Sequence, residues 1–318
     1  MRKTLICFWF SLALAATAQP VPPDSAGAYD KLWVQTSADY RAHCLQTYGW
    51  ASRSLRERAS LEGRHDSQGR LVETTNVREQ PLAVIMDLDD TVIDMAVYRT
   101  FLYEMKRDFE LETWNSFLNY QAEHPEAARS VPGAVEFVSE VERLGYTVFF
   151  ISNRTEPYRA QTIKVLDRIG ISTKDIEKRL ILDPGADEDA RMARELMTRL
   201  HIEESSSEGQ ALLRAQSRKE RRRLQVSLDY RPVAFVGDDL GDFLSFVPEA
   251  GADPEKILSA RYQAVANERE RWGRQYFILP NPMYGNWSPG GSTLPKQGAA
   301  RFLRDDGFLE YYRASQGK

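Results

Sequence analysis

Residues 84–94 read Val-Ile-Met-Asp-Leu-Asp-Asp-Thr-Val-Ile-Asp, an apolar run that changes abruptly into acids. Residues 82–86 have the length and the β-branched content of a buried strand, so Asp87 lies at its carboxyl end, where open α/β sheets hold ligands. Because side chains alternate along an extended chain, Asp87 and Asp89 project to the same side. Two carboxylates placed in this way can divide the work of nucleophile and proton donor.

Four more apolar runs alternate with helical patterns along the chain. They predict strands at residues 147–152, 180–182, 233–236 and 276–279. Strands that alternate with helices are typical of a parallel, doubly wound, Rossmann-like sheet. We therefore expect an α/β fold with one large core, which a chain of 318 residues can bury.

Three segments add to this plan. Residues 19–80 are predicted to be a linker and a helical extension, and a main domain follows at 81–318. In the extension, apolar positions recur at helical spacing from residue 31 to about 60, which predicts a long helix or a helix pair. Residues 97–130 predict a helical cap over the strand ends. Residues 184–215 are rich in acids, Arg and Ser, and predict an exposed acidic insertion with one helix near 190–200.

The first eighteen residues have the pattern of a secretory signal peptide. Arg2 and Lys3 precede an apolar stretch at 5–15, and small residues follow, which favours cleavage after Ala18. A transmembrane anchor is the less favoured alternative, because the stretch is shorter than the roughly 20 residues that a span needs. Cys7 lies inside the stretch, which argues against lipid attachment. We expect a periplasmic or secreted protein without a stable membrane anchor.

Charge and cysteine content narrow the possibilities further. Loss of the signal peptide, with its two basic residues, lowers the net charge from −4 to −6, so no global positive field attracts a nucleic acid polymer. Of the two cysteines, only Cys44 remains in the mature chain. A single cysteine forms no internal disulfide, and we expect Cys44 to be packed inside a helix.

Four polar segments fall at the ends of predicted strands or at the starts of the following helices. They are Asp-Leu-Asp-Asp-Thr at 87–91, Ser-Asn-Arg at 152–154, Ser-Arg-Lys-Glu at 217–220 and Gly-Asp-Asp-Leu-Gly-Asp at 237–242. Ser152 and Asn153 can donate hydrogen bonds to phosphate oxygens. Lys219 would stand in the first turn of a helix, where free N–H groups already favour anions.

These segments together predict phosphoryl chemistry. A carboxylate nucleophile at Asp87 is repelled by a phosphate, which a divalent cation must offset. Carboxylates of Asp87 and Asp238 and the carbonyl of Asp89 are oxygen ligands of the kind that Mg²⁺ prefers. Thr91 and Lys219 would stabilise the charge of an aspartyl-phosphate on Asp87, while Asp89 protonates the leaving oxygen and then deprotonates the attacking water.

Each segment also has a plain structural interpretation. Acidic and glycine-containing turns after strands are common, and Thr91 and Ser152 could cap helices or turns. The basic run at 218–223 is typical of a solvated helix face, which is what we expect for Arg222 and Arg223. The occurrence of all four segments in order after strands favours the catalytic interpretation.

The four segments resemble motifs I to IV of the haloacid dehalogenase (HAD) superfamily of phosphohydrolases, and more closely the class C bacterial acid phosphatases, a branch that includes lipoprotein 5′-nucleotidases. The shared stretches are 33–40, 87–94, 131–154, 217–222, 237–243 and 279–285, and they are distributed over most of the mature chain outside 184–215. The resemblance implies an exported, Mg²⁺-dependent acid phosphatase that hydrolyses small phosphomonoesters, 5′-nucleotides among them, and that forms homodimers.

The resemblance also implies roles for individual residues. Asp87 would be the nucleophile and Asp89 the acid and base. The metal ligands would be Asp87, the backbone carbonyl of Asp89 and Asp238, with Asp242 holding a metal-bound water. The phosphate would lie among Thr91, Ser152, Asn153 and Lys219.

In relatives that act on nucleotides, aromatic side chains sandwich the base. Tyr284 aligns with one of them, and Tyr98 and Trp114 are further candidates, with packing inside the cap as the alternative. Met95 stands where relatives have Asn, which alters the pocket wall.

Two alternatives come from other functional classes. One is a catalytically silent storage or binding protein on the same scaffold, which would be expected to lose the nucleophile or a metal-binding acid. The other is a HAD phosphotransferase or a dehalogenase, although dehalogenation needs neither a metal nor the second acid at Asp89. The full set of Asp87, Asp89, Lys219, Asp238 and Asp242 favours phosphomonoester hydrolysis.

Overall fold

The computed structural model describes residues 27–62, 64–65, 71–72, 80–213, 218–244, 253–285, 287 and 313. The predicted signal peptide, most of the linker and Ser217 lie outside them. The helices are Tyr29–Thr36 (α1), Ala38–Glu62 (α2), Ala96–Glu104 (α3), Leu111–Glu123 (α4), Ala134–Arg143 (α5), Arg159–Arg168 (α6), Ile176–Arg179 (α7), Ala186–Leu200 (α8), Ser207–Leu213 (α9), Arg218–Asp229 (α10) and Pro254–Asn267 (α11). The strands are Arg64–His65 (β1), Leu71–Val72 (β2), Leu82–Met86 (β3), Thr147–Thr155 (β4), Leu180–Asp183 (β5), Arg231–Gly237 (β6) and Tyr276–Ile278 (β7).

A five-stranded sheet forms the centre of the molecule, in the order β5-β4-β3-β6-β7. Every neighbouring pair in it is parallel. All five strands occur where the sequence predicts them, and the α/β, doubly wound plan is confirmed. Because the chain builds outward from β3 in both directions, the β3 and β6 ends meet at one edge of the sheet, where ligands of such folds bind.

Helices cover both faces of this sheet. Along β3, Val84 and Met86 face a large apolar cluster that includes α2 and α5. Ala83 and Ile85 face a smaller cluster closed by Val226 of α10. The strand is buried on both faces, which explains its continuous apolar run, since a strand with one solvated face would alternate.

The N-terminal extension is a helix pair, α1 and α2, that packs on the main domain. Tyr48 of α2 lies 5.1 Å from Phe137 of α5, measured between ring centroids, and its hydroxyl donates to the carbonyl of Thr91 at 2.5 Å. Cys44, in the same helix, is fully buried, as predicted. The extension therefore supports the loop after β3 directly.

The predicted cap contains α3 and α4, and the 184–215 region differs from its prediction. That region has two helices, α8 and α9, instead of one. Helix α8 buries Ala193, Leu196 and Met197, and its Asp189 forms a buried ion pair with Arg221 of α10. One face of α8 is therefore packed on α10, while most described residues of the segment are exposed, as predicted. Among the described residues, no helix combines the length and the apolar character needed to cross a membrane.

Candidate active site

Three carboxylates form an acidic centre at the ends of β3 and β6. Ligand oxygens of Asp87, Asp238 and Asp242 all lie within 4.8 Å of one another. The two strands are parallel neighbours, and the Asp87 amide donates to the Val236 carbonyl at 3.0 Å, which aligns the strand ends. Side chains more than 150 positions apart in the chain thus meet because the strands end together.

A tight turn after β6 places Asp242. A Cβ added to Gly237 would lie 2.5 Å from the Asp242 Cβ, so glycine is needed for this close approach. Asp242 Oδ2 accepts the amides of Asp238 at 3.2 Å and Asp239 at 3.0 Å. Asp239 Oδ1 in turn accepts the Gly241 amide at 2.8 Å. The Gly-Asp-Asp-x-Gly-Asp pattern therefore builds a turn that holds one of its own acids in place.

Lys219 joins two members of the acidic centre. Its Nζ lies 2.6 Å from Asp87 Oδ1 and 2.5 Å from Asp242 Oδ1. Burial alone would lower the pKa of Lys219, but the two carboxylates raise it above its usual value, so the ammonium stays charged. Burial raises the pKa of Asp87 and of Asp238 well above the usual range, and Lys219 opposes both shifts.

Two polar side chains hold Asp238. The Thr91 hydroxyl donates to Asp238 Oδ1 at 2.9 Å, and Asn281 Nδ2 donates to Oδ2 at 2.8 Å. We assigned no role to Asn281 from the sequence, although it follows β7, a strand of the same sheet whose carboxyl end lies at the same edge. That placement was the signal that could have identified it.

Asp90 shapes the loop after β3. It adopts a left-handed conformation with φ of 57°, which Asp tolerates better than most residues. Its Oδ1 accepts the Met95 amide at 2.9 Å, and burial raises the pKa of its carboxyl to about 7. The third Asp of the motif therefore holds the turn that carries Thr91.

The second predicted catalytic acid, Asp89, is held apart from the acidic centre. Arg154 Nε and Nη2 donate to Asp89 Oδ1 at 2.9 and 2.7 Å. The Ser152 hydroxyl donates to Asp89 Oδ2 at 3.4 Å. Asp87 and Asp89 thus have different partners, a lysine for one and an arginine and a serine for the other. Such a division suits a pair in which one carboxyl attacks and the other transfers a proton.

The prediction that Arg222 and Arg223 are solvated is wrong. Arg222 is fully buried, and its guanidinium donates to the Ser152 carbonyl and, at 3.0 Å, to Asn153 Oδ1. Arg223 donates to the carbonyl of Asp242 at 2.9 Å, and burial lowers its pKa. Both side chains follow Lys219 on one face of α10, and they satisfy carbonyls of two site loops that would otherwise lose hydrogen bonds on burial.

The three aromatic candidates lie in different surroundings. Tyr98 is fully buried, donates or accepts a hydrogen bond with Thr113, and lies 5.1 Å from the Trp114 ring, so both rings pack inside the cap, as in the alternative interpretation. Tyr284 is half-buried beside the acidic centre, and burial followed by the charge of Asp238 raises its pKa. The Arg99 guanidinium lies 3.5 Å from the centre of the Tyr284 ring and covers one face.

One groove among the described residues lies away from the acidic centre. It encloses about 900 Å³ beside β5 and the carboxyl end of α10. Its acids and bases form structural pairs such as Glu142–Arg179 and Glu156–Arg159. The groove therefore contains none of the acids that form the acidic centre.

The acidic centre fits a divalent cation. Three carboxylates with oxygen atoms this close repel one another, and hard oxygen donors are the ligands that hard divalent cations take. Asp87, Asp238 and Asp242 would hold the ion, and Lys219 offsets part of their charge. A bound cation would neutralise the charge of a phosphate beside Asp87. The site can thus hold a phosphate ester beside a carboxylate, a lysine and a divalent cation.

Comparison with known proteins identifies the family. A family model described as HAD superfamily, subfamily IIIB (acid phosphatase) matches residues 6–287, and the chain belongs to this family. This match confirms the family resemblance predicted from the sequence. The chain is a phosphomonoester hydrolase, and the match favours an enzyme over a catalytically silent storage protein.

Two solved structures confirm the fold. The class C acid phosphatase from Bacillus anthracis is 24% identical with a TM-score of 0.61, and the match covers 92% of this chain and 96% of that one. The class C acid phosphatase from Bacillus anthracis with tungstate bound is 23% identical with a TM-score of 0.58, covering 93% and 98%.

Proposed function

We propose that the protein hydrolyses phosphomonoesters through an aspartyl-phosphate on Asp87. The carrying observation is that Asp87, Asp238, Asp242 and Lys219 meet at one sheet edge while Asp89 is held by other partners. The carboxylate of Asp87 attacks phosphorus, the ester P–O bond breaks, and Asp89 gives its proton to the leaving oxygen. Asp89 then takes a proton from water, which attacks phosphorus and releases phosphate and a free Asp87.

We propose Mg²⁺ as the cation. All the donors that the acidic centre offers are carboxylate oxygens, and the centre contains no nitrogen or sulfur ligand of the kind that favours zinc or copper. The carbonyl of Asp89 remains a predicted further ligand.

We propose 5′-nucleotides as preferred substrates. The half-buried Tyr284 ring beside Asp238 is an apolar surface at the site, and the face opposite Arg99 is the one on which a base would stack. Stacking of a base on an aromatic ring is worth about 1–3 kcal/mol.

A pair of substrates that differ only by the base tests this proposal. With Mg²⁺ present, we expect kcat/KM for a nucleoside 5′-monophosphate to exceed that for ribose 5-phosphate by about tenfold or more, and Tyr284→Ala to remove the difference. Tyr262→Ala, at a tyrosine that is 67% exposed on α11, is the matched control and should keep it. Equal kcat/KM for the two substrates in the unaltered enzyme would contradict nucleotide preference, but would leave phosphatase activity intact.

We propose that the protein is exported, on the strength of the pattern in residues 1–18 alone. Expression with this segment should yield a mature protein that begins at Gln19 in the periplasm or the medium. Amino-terminal sequencing of the exported fraction checks this, and retention of Arg2 and Lys3 in that fraction would contradict it.

The homodimer stays a prediction that sedimentation analysis would check.

A further inference from the structure

A buried arginine joins Asp89 to the helical cap. The Arg154 side chain has no exposed surface, and its Nη2 donates both to Asp89 Oδ1 at 2.7 Å and to Gln121 Oε1 at 3.0 Å. Gln121 belongs to α4, the second helix of the cap. One guanidinium therefore connects a carboxylate at the sheet edge with α4 of the cap.

The cap side of this connection is buried and hydrogen-bonded. Gln121 is fully buried, and its Nε2 donates to the Ala127 carbonyl at 3.2 Å, which fixes the orientation of its amide. Met95, also fully buried, places its thioether sulfur 3.5 Å from Arg154 Nη2. A thioether is a weak acceptor, so the carboxylate of Asp89 is the strongest partner of Arg154 in this shell.

Both oxygens of Asp89 are held. Arg154 Nε reaches Oδ1 at 2.9 Å and Oδ2 at 3.3 Å, and the Ser152 hydroxyl donates to Oδ2 at 3.4 Å. The Ser152 hydroxyl also accepts the Arg154 amide at 3.1 Å, so the two supports are joined. These contacts set the plane of the carboxyl group. Proton transfer depends on this geometry, because the proton must point at the leaving oxygen.

We propose that Arg154 is a positioning residue that orients Asp89 for proton transfer and ties this orientation to the cap through Gln121. The inference rests on the proposed role of Asp89 as general acid. Arg154 acts through Asp89 and does not need to touch the substrate. Replacing Arg154 should therefore lower kcat/KM most for substrates whose leaving group needs a proton most.

Leaving-group dependence tests the inference. For Arg154→Gln, we expect kcat/KM to fall about 10–100-fold with glycerol phosphate, whose alkoxide leaves poorly, and less than about threefold with 4-nitrophenyl phosphate. Asp89→Asn should show the same selectivity. Adding Arg154→Gln to Asp89→Asn should produce no further selective loss, because two residues that act as one unit are not additive.

Other variants separate positioning from folding. Arg179→Gln removes another largely buried arginine, which binds Glu142 at 2.7 Å and the Lys174 carbonyl at 2.8 Å, and it should lower thermal stability without changing leaving-group selectivity. Arg154→Lys should restore part of the glycerol phosphate activity. Gln121→Met keeps the Arg154–Asp89 pair but removes its link to the cap, and should cause a smaller loss of the same selective kind. Gln121→Met and Arg154→Lys carry the test if Arg154→Gln does not fold.

Two outcomes overturn different statements. An equal loss with both substrates in Arg154→Gln, or an undiminished selective loss when it is added to Asp89→Asn, would overturn the positioning inference. A flat leaving-group dependence in Asp89→Asn itself would instead overturn the proposed acid role of Asp89.

Discussion

Replacement of Asp87 by Asn is expected to lower kcat for any phosphomonoester by at least about 10⁴-fold. The amide is a far weaker nucleophile than the carboxylate, so no aspartyl-phosphate forms at a useful rate. The fold should persist, since an amide nearly matches the shape of the carboxyl group. Steady-state assays and trapping of a radiolabelled phosphoenzyme, present in the unaltered protein and absent in the variant, are the measurements.

Asp183→Asn is the matched control. Asp183 is a buried aspartate at the end of β5, a strand of the same sheet, and its Oδ1 accepts the Gly185 amide at 2.9 Å. Strand β4 separates it from β3, so we expect kcat within about threefold of normal. Normal turnover in Asp87→Asn would show that another residue is the nucleophile.

Replacement of Lys219 by Met is expected to lower kcat about 10²–10³-fold, the usual effect of removing one preorganised charge from a buried site. Lys219 Nζ holds Asp87 Oδ1 at 2.6 Å, and its charge would also stabilise a phosphate on that residue. Lys219→Arg should retain more activity than Lys219→Met. Lys178→Met, at an exposed lysine on α7, should have no effect. A kcat for Lys219→Met within threefold of normal would remove Lys219 from the mechanism.

The same substitution should change the dependence of stability on pH. The pKa of Asp87 and of Asp238 is raised in the folded protein, whereas the pKa of an aspartate in the unfolded chain is about 3.9. Without a cation, these two groups hold more protons in the folded than in the unfolded protein. The stability that they contribute is complete below about pH 4 and falls as the pH rises through their folded pKa values. Lys219 opposes this fall, so Lys219→Met should steepen it.

Melting temperatures at pH 5 and pH 8, with and without Mg²⁺, measure this effect. In the absence of a cation, the melting temperature should drop more between the two pH values in Lys219→Met than in the unaltered protein, and Mg²⁺ should recover the most at pH 8. Equal drops in the two proteins would show that Lys219 does not compensate the buried acids.

Tertiary structure changed the interpretation of the basic run most clearly. Helical spacing alone does not distinguish a helix face exposed to solvent from one that packs against loops. Arg222 and Arg223 lie on a face that packs against loops. Their partners include the carbonyl of Ser152 in β4 and the carbonyl of Asp242 in the turn after β6, two segments far apart in the chain. A sequence motif consists of side-chain types, and every residue has a backbone carbonyl. The sequence therefore does not indicate which carbonyls a buried arginine will bind.

The apolar run at 82–86 and the acids that follow it determine the sheet and its reactive edge, because a buried parallel strand must be apolar throughout and its carboxyl end must carry the polar groups. Residue types alone thus predict Asp87, Asp89, Lys219, Asp238 and Asp242. The partners of these acids are not determined by residue types. Lys219 pairs with Asp87 and Asp242, and Arg154 pairs with Asp89, only when α10 and the cap pack onto the sheet. Charge pairing depends on distances of about 3 Å in space, which packing sets and which spacing along the chain does not encode.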